Sequence, residues 1–213
     1  MRTERLDNFT DAAFAFAVTL LVIGGSEAPT NSAMLMAAVA EVPAFAIGFA
    51  IIAMFWTAHV RWRGMRGEGD WRSVVLSILL VFLVLIYVQP LRAMARSLST
   101  YLGGAGTPFS GSIPDLFLVY GAGFVAMALT MALLFAEARR NRALDGPTQH
   151  ALKGEVWIWV ILVVTGLVSI ALTRIGGIAQ FAPMAYATLP ISIGLFSWRW
   201  YGGRMAAVQA AEE

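Results

Sequence analysis

Hydrophobic residues in this chain gather into long runs that polar residues seldom interrupt, and six such segments can be marked. They cover about residues 9–23, stopping at Gly24 and Gly25; 31–62, with Pro43 in the outer half; and 72–88, breaking near Pro90. The others cover about 113–135, 156–172 and 178–198. A helix needs roughly 20 mostly apolar residues to cross about 30 Å of hydrocarbon. The pattern therefore predicts an all-α, polytopic membrane protein with six transmembrane helices, forming one domain over residues 1–213. The longest connection, around 97–112, is rich in Gly, Ser and Thr, and no soluble domain fits between the runs. No internal repeat is evident.

Composition sharpens this. Apolar residues make up 59% of the chain and charged residues 13%, against about 25% charged in a typical soluble domain. Charge is scarce because lipid is the expected solvent. The formal charge of +2 is small and the basic residues are scattered, which argues against nucleic acid as a partner. The absence of cysteine excludes disulfides, thiolate metal sites and cysteine nucleophiles. Acidic residues at Glu4, Asp7 and Asp11, in and before the first run, argue for a retained helix rather than a cleaved signal.

The basic residues also predict orientation. With six spans, 12 of the 15 fall at the termini and in the second-to-third and fourth-to-fifth connections, and 3 fall on the other side. By the positive-inside rule both termini are cytoplasmic, in a cell (inner) membrane. Trp56, Trp62, Trp71, Trp198 and Trp200 lie beside basic stretches, as interfacial anchors do.

Polar groups inside the runs are informative because each costs a few kcal/mol unless paired. Asp11 lies about one turn into the first helix, and His59 lies near the cytoplasmic end of the second. The topology puts them at similar depth, where Arg5, Thr10, Asp11 and His59 could satisfy one another. Two readings stand and are compatible: a buried polar clamp fixing helix packing, or a proton-sensitive gate, since histidine titrates near neutral pH. Glu41 reads as a solvated residue at the outer mouth. In the first helix Phe16, Leu20 and Ile23 fall at i, i+4 and i+7 on one face, beside Thr19. Periodicity alone reads this as a stripe packed against another helix.

The segment from Arg5 to Ile23 resembles the first helix of the transmembrane protein 175 family of potassium channels. That helix opens with an Arg-x-x-x-Phe-Ser-Asp motif and continues into a Thr-Leu-Leu-type apolar run. Arg5, Phe9, Thr10 and Asp11 match the motif, with Thr in place of Ser. The stretch from Phe55 to Arg61 is similar to the family's Phe-Trp-x-x-His-x-Arg. The resemblance covers about the first 65 residues and becomes one of layout beyond them. It implies a homotetramer of six-helix chains whose first helices line a central pore, without a carbonyl selectivity filter. It further implies a constriction of apolar rings at Phe16, Leu20 and Ile23, a Thr layer at Thr19, and a polar brace of the pore helix by Arg5, Thr10, Asp11, Trp56 and His59. Phe16 departs from the Ile or Leu that the family leads one to expect, and four phenylalanines make a bulkier ring.

The function so implied is a potassium-permeable leak channel, with potassium ions, the bilayer and other copies of the chain as partners and no cofactor or bound metal. The alternatives are a secondary transporter, which would want broken helices and a polar midplane site, and a sealed structural bundle. No enzyme is expected: there is no serine elbow or metal-binding histidine pair, and His59 and His150 are the only histidines.

Overall fold

The computed structural model describes residues 3–23, 28–66, 70–102, 112–175, 178 and 181–212. Gly24, Gly25, Gly176, Gly177, Arg2 and most of the 97–112 connection lie outside the described residues, as does the side chain of Arg204. The described chain is helical throughout its regular structure: α1 Thr3–Ile23, α2 Ser32–Ala40, α3 Val42–Met65, α4 Trp71–Leu102, α5 Ile113–Ala138, α6 Gly146–Leu172, α7 Met184–Ala187 and α8 Leu189–Glu212. Among these, α1, α3, α4, α5 and α6 contain stretches long and apolar enough to cross a membrane. The protein is therefore a multi-pass membrane protein.

The helix limits differ from the sequence expectation at five places. The first helix begins at Thr3, six residues before the expected 9. The second segment is divided at Glu41, because Pro43 has no N–H to continue the ladder and the Glu41 N–H turns back to the carbonyls of Ala38 and Val39. The third does not break at Pro90. It continues to Leu102, because Leu91, Met94 and Ala95 bury one face of the extension in the bundle, and membrane helices tolerate an interior proline where neighbours support it. The fifth begins at Gly146, ten residues before the expected 156, with Pro147 in its first turn. Its added polar turns are held by packing, the His150 ring stacking on Trp200 at 4.7 Å. The sixth expected span does not run from 178: α7 is a single short turn, and α8 starts at Leu189 with Pro190 in its first turn and is not among the described helices long and apolar enough to cross a membrane.

Helix α1 packs on α3 and α4, α4 on α5, and α5 on α6, while α8 leans on α6. In lipid there is little hydrophobic drive between helices, so close packing and interhelical hydrogen bonds must hold them. Both are present. The ring of Phe55 lies 5.9 Å from Phe124 and 5.3 Å from Trp159, joining α3, α5 and α6. The fully buried Trp62 indole donates to the Leu134 carbonyl at 2.8 Å, fastening α3 to α5. At Gly48 a Cβ would come within 2.8 Å of Leu21, so glycine permits the close approach of α1 to α3.

Candidate functional site

Helix α1 has two distinct faces. Leu6, Thr10, Phe14, Ala17 and Leu21 recur at helical spacing and are buried against the bundle. Thr10 donates its hydroxyl to the Leu6 carbonyl at 2.9 Å, so its hydrogen bond closes within its own helix.

At the basic end of the bundle, Asp7 and Asp11, one turn apart on α1, meet Arg63 in the last turn of α3 and Arg66, which caps its C-terminus. Arg63 grips Asp11 with two hydrogen bonds, Nη1 to Oδ2 at 3.0 Å and Nη2 to Oδ1 at 3.1 Å. The Trp56 indole donates to the same Oδ1 at 2.9 Å. Arg66 donates to Asp7 at 3.4 Å, and Arg63 Nη1 lies 3.8 Å from Asp7. A planar guanidinium matching a carboxylate in two parallel bonds fixes orientation as well as distance. Arg66 is almost fully buried and lies 4.5 Å from the centroid of the Trp62 ring. Burial pulls its guanidinium below the ordinary arginine range, and the neighbouring Asp7 opposes that.

His59 serves a different contact. It is fully buried, its Nε2 lies 3.1 Å from the Ser77 hydroxyl on α4, and its ring lies 5.0 Å from Trp62. It ties α3 to α4, and Asp11 is held by Arg63 and Trp56 instead. Arg5 is exposed and makes no ion pair or side-chain hydrogen bond among the described residues. The expected grouping of Arg5, Thr10, Asp11 and His59 is thus replaced by two adjacent contacts, Asp11 with Arg63 and Trp56, and His59 with Ser77. Asp7, Arg63, Arg66 and Ser77 escaped the sequence reading, which counted the two arginines only as loop charge. Their signal was spacing: carboxylates at i, i+4 and cations at i, i+3 on consecutive long helices.

The opposite face of α1 is uncovered. Phe16 is 55% exposed and Ile23 62%, and Thr19 is exposed between them. Leu20 is half-buried and packs partly against the bundle core. The Thr19 hydroxyl donates to the Ala15 carbonyl at 3.0 Å, which leaves its oxygen lone pairs free to face outward. Glu41 is paired rather than merely solvated: its carboxylate meets Arg96 Nη2 at 2.7 Å, joining the α2–α3 junction to α4. No cluster of potential metal ligands occurs among the described residues.

The sequence profile of the endosomal/lysosomal potassium channel TMEM175 matches residues 5–90, the stretch that holds α1, the arginines gripping it, and His59 with Ser77. A protein of Marivirga tractuosa named as a potassium channel is 32% identical over 151 residues, 66% of this chain. The chain spans 61% of that relative's length in the match. Two crystal structures share the fold. A variant of the potassium channel MtTMEM175 bound to a nanobody–MBP fusion superposes with a TM-score of 0.78 at 26% identity, covering 97% of this chain and 94% of that one. A lysosomal potassium-selective channel TMEM175 homolog from Chamaesiphon minutus superposes at 0.63, with 22% identity and 93% and 97% coverage. The TMEM175 family model thus matches the first helices of the chain, and the fold over nearly its whole length is that of the TMEM175 crystal structures.

Proposed function

We propose that this chain is the subunit of a potassium-permeable, leak-type cation channel. Four copies assemble with their α1 helices around a central pore, both termini lie in the cytoplasm, and the constriction is built from Phe16, Thr19, Leu20 and Ile23. The observation that carries this reading is the uncovered outer face of α1. Phe16 and Ile23 are left more than half exposed on a helix whose other face is firmly packed. A surface helix that is apolar on its free side as well as on its packed side calls for a further partner or for lipid. The family match over residues 5–90 and the relatives named as potassium channels favour copies of the same helix.

The chemistry of such a pore follows from its lining. A ring of apolar side chains excludes water and blocks ions when narrow, and conducts when widened. A ring of Thr19 hydroxyls supplies oxygen lone pairs that partly replace lost hydration. Potassium releases its hydration shell more easily than sodium, so the preference between them is modest. Asp7 and Asp11, gripped by Arg66 and Arg63, brace the helix at the basic end while the outer half responds to ions.

Potassium flux into liposomes containing the purified protein tests the reading. Flux above a protein-free control and above that for sodium is expected, with a severalfold rise for Phe16→Ala. Absence of flux from a protein shown to be tetrameric, together with unchanged behaviour on substituting Phe16, Thr19 and Ile23, would remove these residues from a pore. A monomer or dimer in both lipid and mild detergent would undo the assembly.

A further inference from the structure

The inner end of α3 is fastened to α1, α4, α5 and α6, the other described helices long and apolar enough to cross a membrane. Within one short stretch His59 meets Ser77 on α4, Arg61 meets Glu155 on α6, Trp62 meets the Leu134 carbonyl on α5, and Arg63 grips Asp11 on α1. Successive residues of a helix point about 100° apart. His59 and Arg63 therefore share one side of α3, toward α4 and α1, and Arg61 leaves from the opposite side, toward α6. Trp56 falls on the Arg63 side, where its indole donates to Asp11.

The two partners in the α6 contact differ in freedom. Arg61 Nη1 lies 3.1 Å from Glu155 Oε1, and the arginine side chain is 56% exposed while that of Glu155 is 9% exposed. Among the described residues Arg61 is the one cation paired with Glu155, and the buried Oε2 has no hydrogen-bond partner. A buried carboxylate with a single ion pair depends on that partner to offset its charge. Packing holds the carboxylate in place. Trp159, one turn along α6 from Glu155, lies 5.3 Å from Phe55 of α3. A Cβ at Gly154 would collide with the Tyr201 hydroxyl and come within 2.9 Å of the Trp200 indole nitrogen, so α8 lies directly on this turn of α6. Glu155 is the fixed member of the pair and Arg61 the movable one.

We propose that Glu155 is a positioning residue for α1: by holding Arg61 it fixes the rotation of the inner end of α3, and with it the aim of Arg63 and Trp56 at Asp11. The α6–α8 layer then bears on α1 through α3. The effect on ion flux rests on the reading of α1 as the pore helix, whereas the effect on the Asp11 contact does not.

Two measurements on Glu155→Gln, which keeps the shape and removes the charge, test this. The first is a thermal-unfolding cycle in detergent that combines it with Asp11→Asn. The double variant should lose clearly less in midpoint than the sum of the single losses, because either change already loosens the grip of α3 on α1. Glu155→Gln combined with Glu41→Ala, at the outer end, should give a simple sum. Arg61→Gln, on the half-exposed partner, is the second variant and should show the same shortfall with Asp11→Asn. The second measurement is potassium flux in liposomes, which Glu155→Gln should raise about twofold and Glu155→Asp, which keeps the charge, should raise less. A simple sum for both Glu155→Gln and Arg61→Gln with Asp11→Asn would overturn the proposal. Equal effects of Glu155→Gln and Glu155→Asp would also overturn it, making shape rather than charge the role of the side chain. So would unchanged flux from Glu155→Gln where the wild type conducts. A shortfall in the cycle from a protein whose wild type carries no ions would keep Glu155 as the residue that positions α1 and remove the channel reading.

Discussion

Over its first three turns α1 presents Asp7 and Asp11 to the guanidiniums of Arg66 and Arg63, whereas over its last turns it leaves more than half of Phe16 and Ile23 uncovered. The first region is complete within one protomer. Its charges are directional, and each has a partner on α3 or an exposed path to water. The second is chemically unfinished, because apolar groups can face lipid or a like neighbour without either contact being encoded in the protomer. The difference suggests a division of labour along one helix: polar contacts set its position, and the apolar half is left free to meet other copies.

Substitutions can break this comparison from either side. The largest loss of stability is expected for Trp62→Ala, which removes a fully buried indole, its bond to Leu134 and the surface beneath Arg66. A cost of about 3–5 kcal/mol is typical for such a truncation, readable as a lowered midpoint of thermal unfolding in detergent. An unchanged midpoint would mean that the end holding Asp7 and Asp11 is not rigidly packed.

Next comes the pairing of α1 with α3. Arg63→Ala and Asp11→Ala should each cost about 1–3 kcal/mol, below the range for fully buried pairs because Asp11 is 40% exposed. The double variant should cost little more than either single one, so a thermal-shift cycle reports a favourable coupling. Simple additivity would show that the two residues act apart. Arg5→Ala should leave stability nearly unchanged, which separates the observed contact from the one expected of the sequence motif.

Phe16→Ala sharpens the other side. Because the ring stands largely outside the protomer, unfolding of a protomer should shift by less than about 1 kcal/mol, while ion flux through the assembly rises. A large destabilisation without a change in flux would make Phe16 a packing residue. The smallest effect is expected for Glu41→Ala. Its ion pair with Arg96 is short but both side chains are about half exposed, and pairs of that kind contribute about 0–1 kcal/mol. High salt should erase the difference between Glu41→Ala and the wild type.

Much of the fold was legible because a membrane imposes a simple rule, that a spanning segment must be long and apolar. The rule locates α1, α3, α4 and α5 within a few residues at most of their ends, but it reads only hydropathy. It missed the extension of α4 past Pro90, where buried Leu91, Met94 and Ala95 stabilise turns that proline would otherwise end. It also missed the first ten residues of α6, where His150 and Lys153 lie against Trp200 of α8 and Glu155 pairs with Arg61 of α3. In the candidate site the sequence singled out Asp11, Trp56 and His59 but paired them differently, since depth along two helices does not specify rotation about their axes. That rotation directs Asp11 to Arg63 and Trp56, and turns His59 away to Ser77.

By itself, the sequence determined that this protein lives in a bilayer as a helical bundle, and the motifs at Arg5–Asp11 and Phe55–Arg61 already pointed to the TMEM175 likeness. Both follow from local properties, namely hydropathy, residue type and spacing along one chain. Only the tertiary structure decided which carboxylate meets which guanidinium, which face of α1 is left uncovered, and that Arg61 ties α3 to Glu155 of α6. Those facts depend on the rotation and relative height of packed helices. In lipid, these are fixed by side-chain interlocking and interhelical hydrogen bonds among residues far apart in the chain.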